Sequence, residues 1–297
     1  MRNSIIFSFP GNKICAHFLA KKFHIEAGEL IIKRFPDGES YVRINSKVKN
    51  KTVILFCALN NPNKKILSLM FAAQTLKELG AKKIILISPY LSYMRQDKRF
   101  EPGEAVTSLL FAQYLSSWVD YLITIDPHLH RIPHLSKIYS IPVMTLHATN
   151  EIAHWIKKNI KLPFLVGPDI ESKQWVSEIA HQLKAPYIVC KKERLSAHEV
   201  KMNIPQFSIT NETLVLIDDM ISTGSSMLAI LKQLTSQGYH NVICLAVHPL
   251  LNKKIKNDLL AAGATAIITC NTIPDSTNKI NILDLIGMNL EKIIGAI

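Results

Sequence analysis

The sequence has little with which to cross a membrane or lock itself covalently. Its 297 residues include five cysteines, Cys15, Cys57, Cys190, Cys244 and Cys270, and no two of them form a C-x-x-C pair. Most lie in apolar runs and read as reduced core residues. No window of 18 or more residues is apolar and free of charge, which excludes a membrane-spanning helix from the reading. The first apolar run, within Ile5–Phe9, is too short for a signal peptide. A dense run of Lys and Arg interleaved with aromatics is also missing, which argues against nucleic acid as a partner. The expectation is a soluble cytoplasmic protein whose partners include neither nucleic acid nor a membrane.

What is present is ordinary globular material with a basic excess. Hydrophobic residues make up 48% and charged residues 20%, enough for a sizeable core. The length suggests two domains or one large one. Thirty-five Lys and Arg stand against 23 Asp and Glu, a net charge of +12 with His neutral. Such an excess favours anionic small molecules such as nucleotides and sugar phosphates.

Short apolar runs alternate with amphipathic stretches. Strands are expected at 52–59, 83–88, 121–125, 164–167, 187–190, 213–217 and 241–247. Helices are expected at 65–79, closed by Gly80, and at 104–115, 150–158, 173–183 and 226–237. This alternation predicts an α/β chain built on parallel sheets with helices on both faces. A weak internal repeat pairs the strand–loop–helix–strand run 83–128 with 214–249. It places a boundary near residue 145, giving domains 1–145 and 146–297, with a strand-rich C-terminal tail able to return to the first.

One segment carries sharp chemistry. Val215–Ile217 leads into Asp218 and Asp219, then Met220, Ile221, Ser222, Thr223, Gly224, Ser225 and Ser226, opening a helix. A strand end turning into a helix start is the ligand crevice of an open parallel sheet. Free amides there suit a phosphate, and Gly224 allows close backbone approach. Carboxylates repel phosphate but accept from sugar hydroxyls or hold a metal. Acid pair and phosphate cradle together describe a phosphorylated ribose. The segment resembles the ribose-phosphate loop of phosphoribosyltransferase-like proteins.

Other polar clusters also fall at expected strand ends. Arg34–Ile44 holds Phe35, Asp37, Gly38 and Glu39, which suit a purine base or a plain turn between strands. Pro89–Arg99 offers Arg95, Gln96 and Asp97. His128, in Asp126-Pro-His-Leu-His130, is a candidate metal ligand; Asp169 closes another strand, and Lys192 and Arg194 follow a further one. In this order the set resembles the ribose-phosphate pyrophosphokinase family over nearly the full length, nearer its archaeal-type branch.

The resemblance implies two similar phosphoribosyltransferase-like domains, a homo-oligomer, and transfer of the β,γ-diphosphoryl group of ATP to C1 of ribose 5-phosphate with Mg²⁺. Phe35, Asp37, Gly38, Glu39, Arg95, Gln96 and Asp97 would bind ATP, the first group often across a subunit interface. His128 and Asp169 would serve the metal–ATP site. Lys192 and Arg194 would be catalytic. Arg194, Asp218, Asp219 and the loop Ser222, Thr223, Gly224, Ser225 and Ser226 would hold ribose 5-phosphate. The chain departs from familiar bacterial members at Glu171-Ser172, where two glycines are usual, and at Ser222, Ser225, Ser226 and Lys98. The competing expectations are a non-catalytic regulatory paralogue, which should lose Lys192, Arg194 or the Asp pair, and a phosphoribosyltransferase, which would not need the elements at 35–39 and 95–97.

Overall fold

The computed structural model describes residues 1, 3–129, 131–194, 200–208 and 211–296. The chain divides into two units, Met1–Leu146 with Leu283–Ile297, and His147–Ile282.

The first unit starts with β1 (Ser4–Ser8), α1 (Lys13–Lys22) and the short β2 (Glu26–Ala27). A hairpin follows, β3 (Leu30–Arg34) and β4 (Ser40–Ile44), paired antiparallel. Then come β5 (Thr52–Phe56), α2 (Ile66–Glu78), β6 (Lys83–Ser88), α3 (Thr107–Ser116), β7 (Tyr121–Ile125) and β8 (Val143–Leu146). The main sheet has the order β2-β1-β5-β6-β7-β8, all parallel. Strand β5 is buried along its whole length, as a strand covered on both faces must be. Val53, Leu55, Ile84 and Leu86 share one cluster with Leu69, Leu76 and Trp118, while the alternate residues Ile54, Ile85 and Ile87 are equally buried.

The second unit repeats the plan with α4 (Thr149–Asn159), β9 (Pro163–Gly167), α5 (Lys173–Leu183) and β10 (Tyr187–Val189). Its hairpin is β11 (Lys191–Arg194) with β12 (Val200–Asn203), again antiparallel. Next are β13 (Thr213–Ile221), α6 (Ser225–Ser236), β14 (Val242–Pro249), α7 (Lys253–Ala261), β15 (Ala264–Cys270) and β16 (Asn278–Ile280). The sheet runs β10-β9-β13-β14-β15-β16, matching the first position for position. The final helix α8 (Leu283–Ala296) belongs to the first unit and packs against α1. Gly287 faces the Phe23 ring so closely that a Cβ would lie 1.9 Å from it.

Three details differ from the sequence reading. Strand order pairs β5 with β13 and β6 with β14, so the internal repeat matches 52–88 to 213–249, one βα step earlier than the pattern suggested. Every βα step has the same periodicity, so the pattern alone does not fix which step matches which. Helix α3 starts at Thr107, not Glu104, because the Glu104 carboxylate is used upstream, accepting from the amides of Phe100 and Glu101. In the tail, the part that returns to the first unit is a helix rather than a strand. All five cysteines are buried, and none of them is in a disulfide. Among the described residues no helix is long and apolar enough to cross a membrane.

Candidate functional site

In the second unit, β13 does not end where its apolar run ends. It continues through Asp218 and Asp219 to Ile221, with Asp218 abreast of Ala246 and Met220 abreast of His248 on β14. The acid pair is therefore held by a sheet register rather than by a loop. Both carboxylates are half-buried, and Asp218 Oδ1 accepts from the Asp219 amide at 2.9 Å. Burial, and then repulsion from Asp219 and Asp169, push the Asp218 carboxyl well above the usual carboxylate range.

The turn after β13 is only Ser222-Thr223-Gly224 before α6 begins at Ser225. Gly224 caps the helix in the left-handed region, φ 71°, and gives no side-chain cap. The Ser225 amide makes one long hydrogen bond, to Thr223 Oγ1 at 3.4 Å, and the start of a helix is where backbone amides lack intrahelical acceptors and suit an anion. A Cβ on Gly224 would meet Ile255 Cγ2 at 3.1 Å, so both conformation and space favour glycine. Thr223 Oγ1 and Ser225 Oγ lie 3.0 Å apart and ring the turn with hydroxyls, and Ser226 follows on the helix.

Asp169 follows β9 and caps a 3₁₀ turn at 170–172, its Oδ1 accepting from the amides of Glu171 and Ser172 at 3.1 and 3.2 Å. Oδ2 accepts no hydrogen bond among the described residues. The unusual Ser172 has a structural use. Its hydroxyl donates to the Asp169 carbonyl at 2.7 Å and fills the space beside Gly167, where a Cβ would lie 2.5 Å from Ser172 Oγ. Glu171 is exposed. Of Lys192 and Arg194 only the backbone is described: Lys192 is opposite Met202 and Arg194 opposite Val200.

In the first unit, Phe35, Asp37, Gly38 and Glu39 form the tip joining β3 to β4. The Phe35 amide donates to the Glu39 carbonyl, and the Glu39 amide to Asp37 Oδ1 at 3.1 Å. Gly38 takes φ 96°, which this turn requires. Phe35 is 51% exposed, with the Tyr41 ring edge-on at 6.2 Å. Such a large apolar ring held out at a hairpin tip is consistent with a stacking surface.

The loop after β6 buries Tyr90, Leu91 and Met94 and leaves Arg95 exposed. Gln96 accepts from the Ser108 amide through its carbonyl. The Asp97 carboxylate is 3% exposed and accepts from Arg131 Nη1 at 2.9 Å and the Arg131 amide at 3.2 Å. Asp97 thus ties this loop to the segment after β7, and the Arg131 guanidinium also lies over the Phe100 ring. Arg131 escaped the sequence reading because its partner lies 34 residues away. On that segment Asp126 adopts φ 34°, an uncommon backbone state for a residue with a side chain, and half-buried His128 follows it. His130 lies outside the described residues.

The first unit thus carries the residues read as nucleotide contacts on a hairpin tip and on the loops after β6 and β7, and the second carries the acid pair and the glycine turn. The N-terminal domain model of ribose phosphate pyrophosphokinase matches residues 4–118, and the phosphoribosyl transferase domain model matches 134–282. A ribose-phosphate pyrophosphokinase of Saccharolobus solfataricus is 33% identical over 271 residues, covering 90% of this chain and 92% of its own. One from Methanopyrus kandleri is 30% identical over 279 residues, covering 93% and 95%. The crystal structure of phosphoribosylpyrophosphate synthetase from Mycobacterium smegmatis shares the fold, with TM-score 0.85, 22% identity and coverage of 99% of this chain and 100% of that one. Full-length similarity and a twice-used parallel sheet lead to one conclusion: the chain belongs to the ribose-phosphate pyrophosphokinase family.

Proposed function

We propose that the chain transfers the β,γ-diphosphoryl group of ATP to the C1 hydroxyl of ribose 5-phosphate, giving AMP and phosphoribosyl pyrophosphate for nucleotide biosynthesis. The observation that carries this reading is the juxtaposition in unit 2. Asp218 and Asp219 lie among the last residues of β13, which ends at Ile221, and the three residues 222–224 that follow form a turn suited to phosphate. In this reading the carboxylates take the ribose hydroxyls, and the amides and hydroxyls of 222–226 take the 5-phosphate. Binding of hydroxyl donors offsets the repulsion stored at Asp218.

ATP falls to the first unit, with Arg95 and Gln96 on its nucleotide and Phe35, Asp37 and Glu39 on adenine. The exposed Phe35 tip suits a neighbouring copy in a homo-oligomer. Asp97 positions the Arg95–Gln96 loop through Arg131 rather than meeting the nucleotide itself.

Attack at phosphorus needs in-line positioning and charge neutralisation more than a strong base. Lys192 and Arg194 supply that charge, and Arg194 also reaches the sugar phosphate. Mg²⁺ fits the donors present, since Asp169 Oδ2 is an oxygen of the kind it accepts, and magnesium takes few protein ligands beside substrate phosphates. His128, an imidazole, suits its bound water better than the ion itself. When bound, the ion would neutralise the diphosphoryl oxygens. The decisive experiment incubates the protein with ATP, Mg²⁺ and ribose 5-phosphate and follows AMP. AMP should appear only when all three are present, and its absence across metal and phosphate concentrations sinks the reading.

A further inference from the structure

The strand-by-strand match between the units gives the turn after β13 an equivalent place in unit 1. In unit 2 the ribose-phosphate turn lies after β13, with the segment after β9 on one flank in the sheet order and the β11 hairpin strand in the same topological slot that β3 holds in unit 1. The equivalent place in unit 1 lies after β5, beside the segment after β1 and strand β3. A cavity of about 490 Å³ opens there. That volume falls within the range of small-molecule sites.

Its lining has two characters. Phe9, Pro10 and Ile32 supply an apolar wall. Lys33, Arg34, Lys64 and Lys65 surround it with positive charge, and among the described residues no Asp or Glu lines it. The cations are placed by specific contacts. Arg34 Nη2 donates to the Lys64 carbonyl at 2.8 Å, tying the hairpin to the turn at 62–64. Lys65 Nζ donates to the Ala58 carbonyl at 2.7 Å and to Asn60 Oδ1 at 2.6 Å, which leaves one of its three protons unused. Four cations round one hollow repel one another, and a bound anion relieves that repulsion. Burial also holds the Lys65 ammonium below its ordinary value, a shift that an adjacent phosphate would reverse.

We propose that this cavity is a second phosphomonoester site, the first unit's counterpart of the turn at 222–224. It takes a small sugar phosphate, with the phosphate on Lys33, Lys64 and Lys65 and the carbon body on Phe9, Pro10 and Ile32. None of Phe35, Arg95 and Gln96 lines it, so it is separate from the residues given to ATP. The chemistry in unit 2 is carried by backbone amides and hydroxyls; here it is carried by side-chain cations. The site therefore has no need of an acid pair and no role in the transfer step.

The test is equilibrium dialysis of the full chain with labelled ribose 5-phosphate, comparing the unaltered protein with Lys33→Glu/Lys64→Glu. The variant should bind one sugar phosphate fewer per chain, or bind it at least about tenfold more weakly, equivalent to ~1.4 kcal/mol. Its KM for ATP should be unchanged. Lys33→Arg/Lys64→Arg, which keeps the charge, should keep the full stoichiometry and so exclude misfolding as the cause. Unchanged stoichiometry and affinity in Lys33→Glu/Lys64→Glu overturn the proposal, and so does a rise in KM for ATP, which would make the cavity part of the nucleotide site. Inorganic phosphate competing as tightly as the sugar phosphate would reject the carbon-body contact and leave phosphate alone as the ligand. Failure of the transfer reaction itself leaves this difference in stoichiometry readable.

Discussion

The two hairpins fill one slot in a repeated plan. That of unit 1, between β2 and β5, presents an aromatic ring and two carboxylates at its tip, Phe35, Asp37 and Glu39. That of unit 2, between β10 and β13, carries Lys191, Lys192 and Arg194. The third strand of each sheet, with the residues that follow it, differs in charge as well. Unit 2 offers Asp218 and Asp219, whereas unit 1 offers Asn60, Asn61, Lys64 and Lys65. Unit 2 has acid near the strand end and base on the hairpin, whereas unit 1 has base after the strand and carboxylates only at the hairpin tip, with Lys33 and Arg34 beside them on β3. The apolar strands keep the plan, and the residues around the strand ends give each copy its own chemistry.

If this contrast is right, the largest effect comes from the unit 2 hairpin. Lys192→Ala should lower kcat by roughly 10²–10³-fold, the magnitude of losing one charge-stabilising donor, while leaving KM for ribose 5-phosphate nearly unchanged. A stopped assay of AMP release measures it, and a folded variant with full kcat removes Lys192 from the chemistry.

Next comes the acid pair. Asp218→Asn should lower kcat/KM for ribose 5-phosphate by about 10- to 150-fold, the equivalent of ~1.5–3 kcal/mol for a charged hydrogen bond. The same change should raise the melting temperature of the unliganded protein. Because the folded protein holds the Asp218 proton more tightly than the unfolded chain does, stability falls as pH rises from the ordinary carboxylate range through the raised folded pKa. Asparagine abolishes that loss. Melting curves across this window check it, and a variant that melts lower at neutral pH would mean the carboxylate is not under repulsion.

The smallest effect belongs to the loop tie in unit 1. Asp97→Asn breaks an ion pair whose arginine side chain is 49% exposed, so only about a two- to fivefold rise in KM for ATP is expected, with KM for ribose 5-phosphate unmoved. A change in kcat instead would place Asp97 at the reacting atoms.

Much of this was legible in the sequence because parallel strands buried on both faces are continuous apolar runs. Ile54, Ile85, Leu216 and Leu245 mark their strands without help from context. The acid pair with its glycine turn was legible because it is contiguous. The extent of β13 was not, since the register that carries Asp218 and Asp219 comes from pairing with β14, and the two acids interrupt the apolar run. The matching of the two halves was misjudged by one step, since only the order of strands across each sheet sets it. The Asp97–Arg131 pair and the Lys-rich cavity join residues distant in sequence, and no local pattern announces them.

The last helix has a consequence for how the chain matures. Residues 147–282 are spliced, in sequence terms, between the body of the first unit and α8. Ile286, Leu290 and Ile293 of α8 are buried, so the unit synthesised first receives part of its core last. While a ribosome is still making the second unit, the face of the first that α8 will cover stays open to water. A chain cut just before Leu283 would therefore damage the first unit, although the cut lies at the end of the second.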